Sequence, residues 1–173
     1  MTDNKKKVVV GWQGRYYEDF VPNDVYRSRY GRTVTEMDNS LFTHLTLNSN
    51  PLHFDARLAA DTQWKKILVN STFTLALIVG MSVPDVSENA LANLGWEAVK
   101  LPNPVFVGDT LYCETEVLAK RESRSYANAG IVQVRSRGIN QDGKVVIDFT
   151  RSVMIYKKGH APHDDFFPAV EEG

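Results

Sequence analysis

The chain has 173 residues, 43% of them hydrophobic and 24% charged, which suits one globular domain with its own core. Twenty basic residues face 21 acidic ones, a net charge of -1, so no general attraction for nucleic acid or an anionic membrane is expected. Cys113 is the only cysteine, which excludes an internal disulfide and a thiolate metal site. Three valines near the N-terminus are too few for a signal peptide or membrane helix, so a cytoplasmic protein is expected.

The first 30 residues, rich in Tyr and Arg, show no clean period and read as a surface arm, about 1–32, with no assigned structure. From Thr35 the pattern turns helical. Thr35 and Asp38 make a capping pair, and Met37, Leu41, Phe42 and Leu45 recur at helical spacing, so a short helix should end near Leu47. The breaker-rich stretch "LNSNPLHFD" follows, carrying Asn48, Asn50, Pro51, His53 and Asp55. A second short helix is expected from Asp55. Beyond it, Phe73 to Met81 is apolar all round the helical wheel, with Asn70, Ser71 or Thr72 to cap its start and Pro84 to mark its end. A helix apolar on every face is expected to be buried on every face.

The last third alternates with a period of two. After an earlier strand, "NLGWEAVKL", the segments "LYCETEVLAKR", "GIVQVRSRGI" and "KVVIDFTRSVMIYKK" read as strands. Asp142-Gly143 turns between the last two, and "PNPVFVGD" loops after the first. The polar tail, about 158–173, should be loose. One buried central helix wrapped by a long antiparallel sheet is an α+β arrangement, the hotdog fold, over a single domain of residues 1–173.

"NSNPLHFD" resembles the Asn-Pro-Leu-His core of the MaoC-like (R)-specific enoyl-CoA hydratases, and the likeness runs from about Thr33 to Tyr156. "LFTHLTLNSNPLHFDA", "VNSTFTLALIVGMSVPDVSENALANLGW" and "LPNPVFVGDTLYCETEV" are similar to a narrower subgroup, the mesaconyl-CoA hydratases or β-methylmalyl-CoA dehydratases. The resemblance implies reversible hydration of a short, branched 2-enoyl-CoA. It implies an acyl-CoA thioester as substrate, no metal, and no cofactor beyond the CoA of the substrate. It also implies a homodimer or higher homo-oligomer with the site near the subunit interface, and no nucleic-acid or membrane partner. The family's histidine falls on His53 and its aspartate on Asn48. The backbone N–H that holds the thioester oxygen falls on Ser71, after Asn70. The family pattern has an aspartate at the first of these departures, Asn48, and usually a glycine at the second, Ser71.

Adding water across an unsaturated thioester needs a base for the water, an acid for Cα, and a donor for the enolate oxygen. An imidazole, which titrates near neutrality, can serve as base and acid in turn, so His53 is the candidate. Free N–H groups at a helix start suit the third task. Asn48 cannot shuttle a proton and could only orient water. Either His53 works alone, or a carboxylate such as Asp55 or Asp38 helps.

Each residue also has a plainer role. Asn48 is equally a turn former, Ser71 equally a helix cap, and Asn50 and Pro51 set the loop's path. His44 fits surface packing, and His160 with His163 is a weak metal signal. Lys65, Lys66 or the sheet arginines are the cations available to CoA phosphates, and the sequence does not choose among them. Two other readings stand beside the hydratase: a non-catalytic acyl-CoA-binding subunit, which Asn48 favours, and a thioesterase, which the lack of a carboxylate or nucleophile on the central helix disfavours.

Overall fold

The computed structural model describes residues 7–162 and 167–168. Among these residues six strands form one antiparallel sheet: β1 (Val25–Arg27), β2 (Arg32–Thr33), β3 (Ala90–Lys100), β4 (Thr110–Glu122), β5 (Ala129–Asn140) and β6 (Val145–Tyr156). They lie in the order β1-β4-β5-β6-β3, with β2 also on β4. The period-two pattern of β5 works as expected, since Val132, Val134 and Ser136 turn inward and are fully buried. The Asp142-Gly143 turn joins β5 to β6, Gly143 supplying a φ of 76°.

Three helices accompany the sheet: α1 (Glu36–Leu45), α2 (Ala56–Asp61) and α3 (Ser71–Ser82). α3 is gripped by the sheet, which makes this the hotdog arrangement. Gly138 on β5 permits the grip, because a Cβ there would sit 2.7 Å from the Ile78 side chain.

From Tyr17 onward the expected surface arm is corrected by the structure. Residues 17–33 carry a short 3-10 turn and strands β1 and β2, and Tyr17 and Phe20 are buried in the core beside Val117, Val132 and Val134. Gly130 makes room for this, since its Cβ would lie 2.2 Å from the Tyr17 ring. Aromatic side chains with no period still bury where the sheet offers a bare end.

α3 differs from expectation too. Only the stripe Thr74, Ile78, Ser82 is buried, while Ala76 and Gly80 on the other side are open. One sheet covers one side of a helix. The open side borders a cavity of about 650 Å³, shared with Phe42, Phe73, Leu77, Met81 and the 28–32 loop. Pro84 does not stop the helical path: Val83–Ser87 continues as a π turn, with Pro84 in its first turn, where no N–H is needed.

α1 begins with the expected Thr35–Asp38 capping box, but of its four expected core residues only Phe42 turns inward, its ring 5.5 Å from that of Phe73. Met37, Leu41 and Leu45, expected to seek the core, are 75%, 57% and 72% exposed, whereas Asn39 and Thr43 are buried. Hydrogen bonds described below explain the inversion.

A polar layer crosses the interior at the C-terminal end of α3. Arg151 on β6 is 2% exposed, and its Nη2 donates to the Ser82 hydroxyl at 2.8 Å while Nε has no partner. Burial pushes its guanidinium pKa below the ordinary value. Cys113 is buried nearby as a small apolar residue, and burial pushes its thiol up.

Candidate active site

The loop after α1 is built by its own side chains. Asn48 Oδ1 accepts from the Asn50 N–H at 3.0 Å, and Asn50 Oδ1 accepts from the Leu52 N–H at 3.1 Å. These two turns, with Pro51 at the first helical position, fold Pro51–His53 into one 3-10 turn. Asp55 then caps α2, its Oδ1 accepting from Arg57 and Leu58 N–H groups at 3.0 Å each.

That turn presents His53. Its Nδ1 lies 2.8 Å from the Leu68 carbonyl oxygen. A carbonyl only accepts, so Nδ1 carries the proton, and in the neutral ring Nε2 keeps its lone pair. This is the tautomer a general base requires.

Leu68 lies three residues before Ser71, the first residue of α3. Asn70 caps that helix: its Oδ1 accepts from the Thr72 N–H at 3.0 Å and the Thr72 hydroxyl at 2.7 Å, and its Nδ2 donates to Thr43 Oγ1 at 3.3 Å. The cap engages the Thr72 N–H and leaves the Ser71 N–H pointing out of the helix end. Ser71, Thr74, Leu68 and Trp64 line a cavity of about 240 Å³ with the 101–105 loop. His53 does not line it; the imidazole and the helix opening meet through Leu68, whose side chain lines the cavity and whose carbonyl holds the ring.

Asn39 joins the two halves. Its Nδ2 donates to the His53 carbonyl at 2.9 Å and to the Leu68 carbonyl at 3.4 Å, and its Oδ1 accepts from the Asn70 N–H at 2.9 Å. Neither Asn39 nor Thr43 was picked out by the sequence reading. The available signal was two short polar residues four apart in a helix, which share one face.

The nearby carboxylates are otherwise engaged. Asp55 is the cap just described. Asp38 accepts from the Thr35 N–H and hydroxyl and pairs with Arg32 at 2.9 Å; burial opposes its ionisation, but these bonds outweigh it and hold the carboxyl below its usual range. His44 is exposed against the Phe54 ring, with centroids 5.1 Å apart. Lys66 lies over the Phe106 ring at 4.0 Å, at the edge of the Trp64 wall. Arg135 and Arg137 pair with Asp148 and Glu114 across the outer sheet face. His163 falls outside the described residues. Among the described residues no helix is long and apolar enough to cross a membrane.

The family model described as the MaoC-like domain matches residues 19–137. Over 148 residues the chain is 34% identical to a mesaconyl-CoA hydratase of Cereibacter sphaeroides, covering 86% of this chain and 43% of that protein. It is 32% identical over 145 residues to a beta-methylmalyl-CoA dehydratase of Chloroflexus aurantiacus, covering 84% and 41%. The chain therefore spans about two fifths of these curated relatives. Among solved structures, the unliganded R-hydratase PhaJ1 of Pseudomonas aeruginosa superposes with a TM-score of 0.71 at 27% identity, covering 91% of this chain and 96% of that one.

Proposed function

The chain belongs to the MaoC-like domain family, and from that premise we propose that it reversibly hydrates a short, branched 2-enoyl-CoA of the mesaconyl-CoA or β-methylmalyl-CoA type. One observation carries the reading: the His53 ring is held as the Nδ1–H tautomer by the Leu68 carbonyl, beside the start of α3.

In the proposed reaction the thioester oxygen sits on the Ser71 N–H at the helix end. Nε2 of His53 takes a proton from water as the oxygen adds to Cβ, and the enolate charge collects on the thioester oxygen. The imidazolium then returns that proton to Cα. Atoms and charge balance with one base, so neither a metal nor a redox group has a step to perform, and CoA arrives as part of the substrate. Asn48 orients the water, its Nδ2 remaining as donor while Oδ1 holds the turn. A homodimer completes the site, a second copy covering the open side of α3 and the exposed edge strand β3, where Leu94, Trp96 and Val99 are 49%, 47% and 44% exposed.

The test is a panel of enoyl-CoA esters with mesaconyl-CoA included, following loss of the conjugated double bond and gain of one water by mass. Turnover of one branched member supports the proposal. Acyl-CoA binding by calorimetry with no turnover on any ester replaces it with a non-catalytic binding subunit, the reading that the amide at position 48 favours.

A further inference from the structure

We propose that Asn39 is a positioning residue for the site: its side-chain amide clamps the His53 loop to the opening of α3 and so fixes the spacing between imidazole and helix N–H. The proposal rests on the hydratase reading for its kinetic consequence, though not for its geometry.

Asn39 is 1% exposed, yet it sits on a helix whose Met37, Leu41 and Leu45 face solvent. Its three hydrogen bonds reach groups 14, 29 and 31 residues away in sequence: the His53 carbonyl, the Leu68 carbonyl and the Asn70 N–H. Each belongs to a different part of the site, namely the ring's own backbone, the oxygen that receives Nδ1–H, and the cap of α3. The Leu68 oxygen accepts from both Asn39 and His53, so the amide helps set where that oxygen lies and, through it, where Nε2 points.

Only a short amide does all three tasks. An aspartate would place a carboxylate against two carbonyl oxygens, and a leucine of similar volume would leave the His53 carbonyl and the Asn70 N–H unpaired and the Leu68 oxygen with His53 alone. The inversion of α1 follows from the same need, because rolling its apolar face inward would carry Asn39 away from every partner. The alternative is a merely stabilising buried amide, and a kinetic readout separates the two.

The experiment compares Asn39→Ala with Thr115→Val, which breaks a buried hydroxyl pair (Thr115–Ser136, 2.8 Å) in the middle of the sheet. Two things are read: kcat and KM on the best enoyl-CoA ester, and solvent exchange of the His53 Nδ1 proton by NMR. The Trp12 indole proton, held by the Pro84 carbonyl at 2.9 Å, is the internal reference. In Asn39→Ala, kcat should fall ~10- to 100-fold with KM within ~3-fold, as for a misplaced catalytic group. The His53 proton should exchange at least ~10-fold faster while the Trp12 proton is unchanged. Thr115→Val should leave both the kinetics and the His53 proton as in the wild type. A His53 proton that stays protected overturns the proposal, and so does lost protection with an unchanged kcat.

Should Asn39→Ala fail to fold, Asn39→Ser, which can still satisfy one partner, is held to the same outcomes. If the wild type turns over no ester, the hydratase reading fails by itself and the His53 proton alone decides the clamp.

Discussion

The Nδ1–H of His53 donates to the carbonyl oxygen of Leu68 at 2.8 Å, and this bond makes Nε2 the basic atom of the ring. His53→Ala should therefore lose at least ~10²-fold in hydration rate, the scale of general acid–base catalysis. Steady-state kinetics on the best ester checks it, and an unchanged rate removes His53 from the reaction.

In the proposed reaction Ser71 contributes an N–H and not its hydroxyl. It stands at the first position of α3, where proline fits, and Asn70 before it has φ -59° and ψ 125°, the extended conformation a following proline demands. Ser71→Pro should keep the fold by circular dichroism and lower kcat by ~10²–10³-fold, the cost of one oxyanion donor. Ser71→Ala should be close to wild type. Equal activities in the two variants would place the thioester oxygen elsewhere.

Asn48 holds the loop through its Oδ1. An aspartate keeps that acceptor, and its second oxygen can accept from the water in place of the Nδ2 donor, whereas an alanine offers neither; Asn48→Asp should therefore retain activity while Asn48→Ala loses roughly tenfold or more. If the alanine variant is silent, position 48 handles neither water nor loop.

Acid stability should depend on Glu114. Its hydrogen bond from Arg27 at 2.8 Å, joined by Arg137, outweighs the opposing effect of burial and holds the carboxyl below its ordinary pKa. The folded state then binds fewer protons than the unfolded chain in acid. The stabilisation is complete above about pH 5 and is lost as pH falls through the lowered value. Glu114→Gln should cost about 1–2 kcal/mol at neutral pH and flatten the acid limb of urea stability against pH, since Arg27 and Arg137 remain partly solvated. An unchanged limb would show that other carboxylates, such as Asp148, carry it.

Arg151 is a buried cation for which no paired carboxylate is seen among the described residues, and its Nε is without a partner. Arg151→Met, of similar volume, should be neutral or stabilising by about 1–4 kcal/mol in urea titration, because the desolvation penalty disappears. A loss greater than about 2 kcal/mol would mean that the hydroxyls of Ser82 and Ser87 repay that penalty.

Local chemistry was readable wherever a residue acts on its own neighbours. The Thr35–Asp38 box, the helix starting after Asp55, a cap among Asn70, Ser71 and Thr72, and the turn at Gly143 all stand as expected, because each is decided within four residues. The sheet was readable from its period, and the path of the His53 loop from Asn50 and Pro51. What failed was direction. Met37, Leu41 and Leu45 have the spacing of a core face, yet three bonds from Asn39 to groups up to 31 residues away decide the helix's orientation. Tyr17 and Phe20 were missed for the same reason, since no local pattern reports that a distant glycine, Gly130, leaves a slot for a ring.

α1 therefore rests with Met37, Leu41 and Leu45 outward, held by the Asn39 amide, the Asn70–Thr43 bond and the Phe42–Phe73 ring contact. The two sides lie about half a revolution apart, and protein engineers should heed the asymmetry. Charges introduced at Met37, Leu41 or Leu45 would improve solubility and leave the architecture alone. Greasing position 39 or 43 would invite the segment to flip and strip the cap from its neighbour.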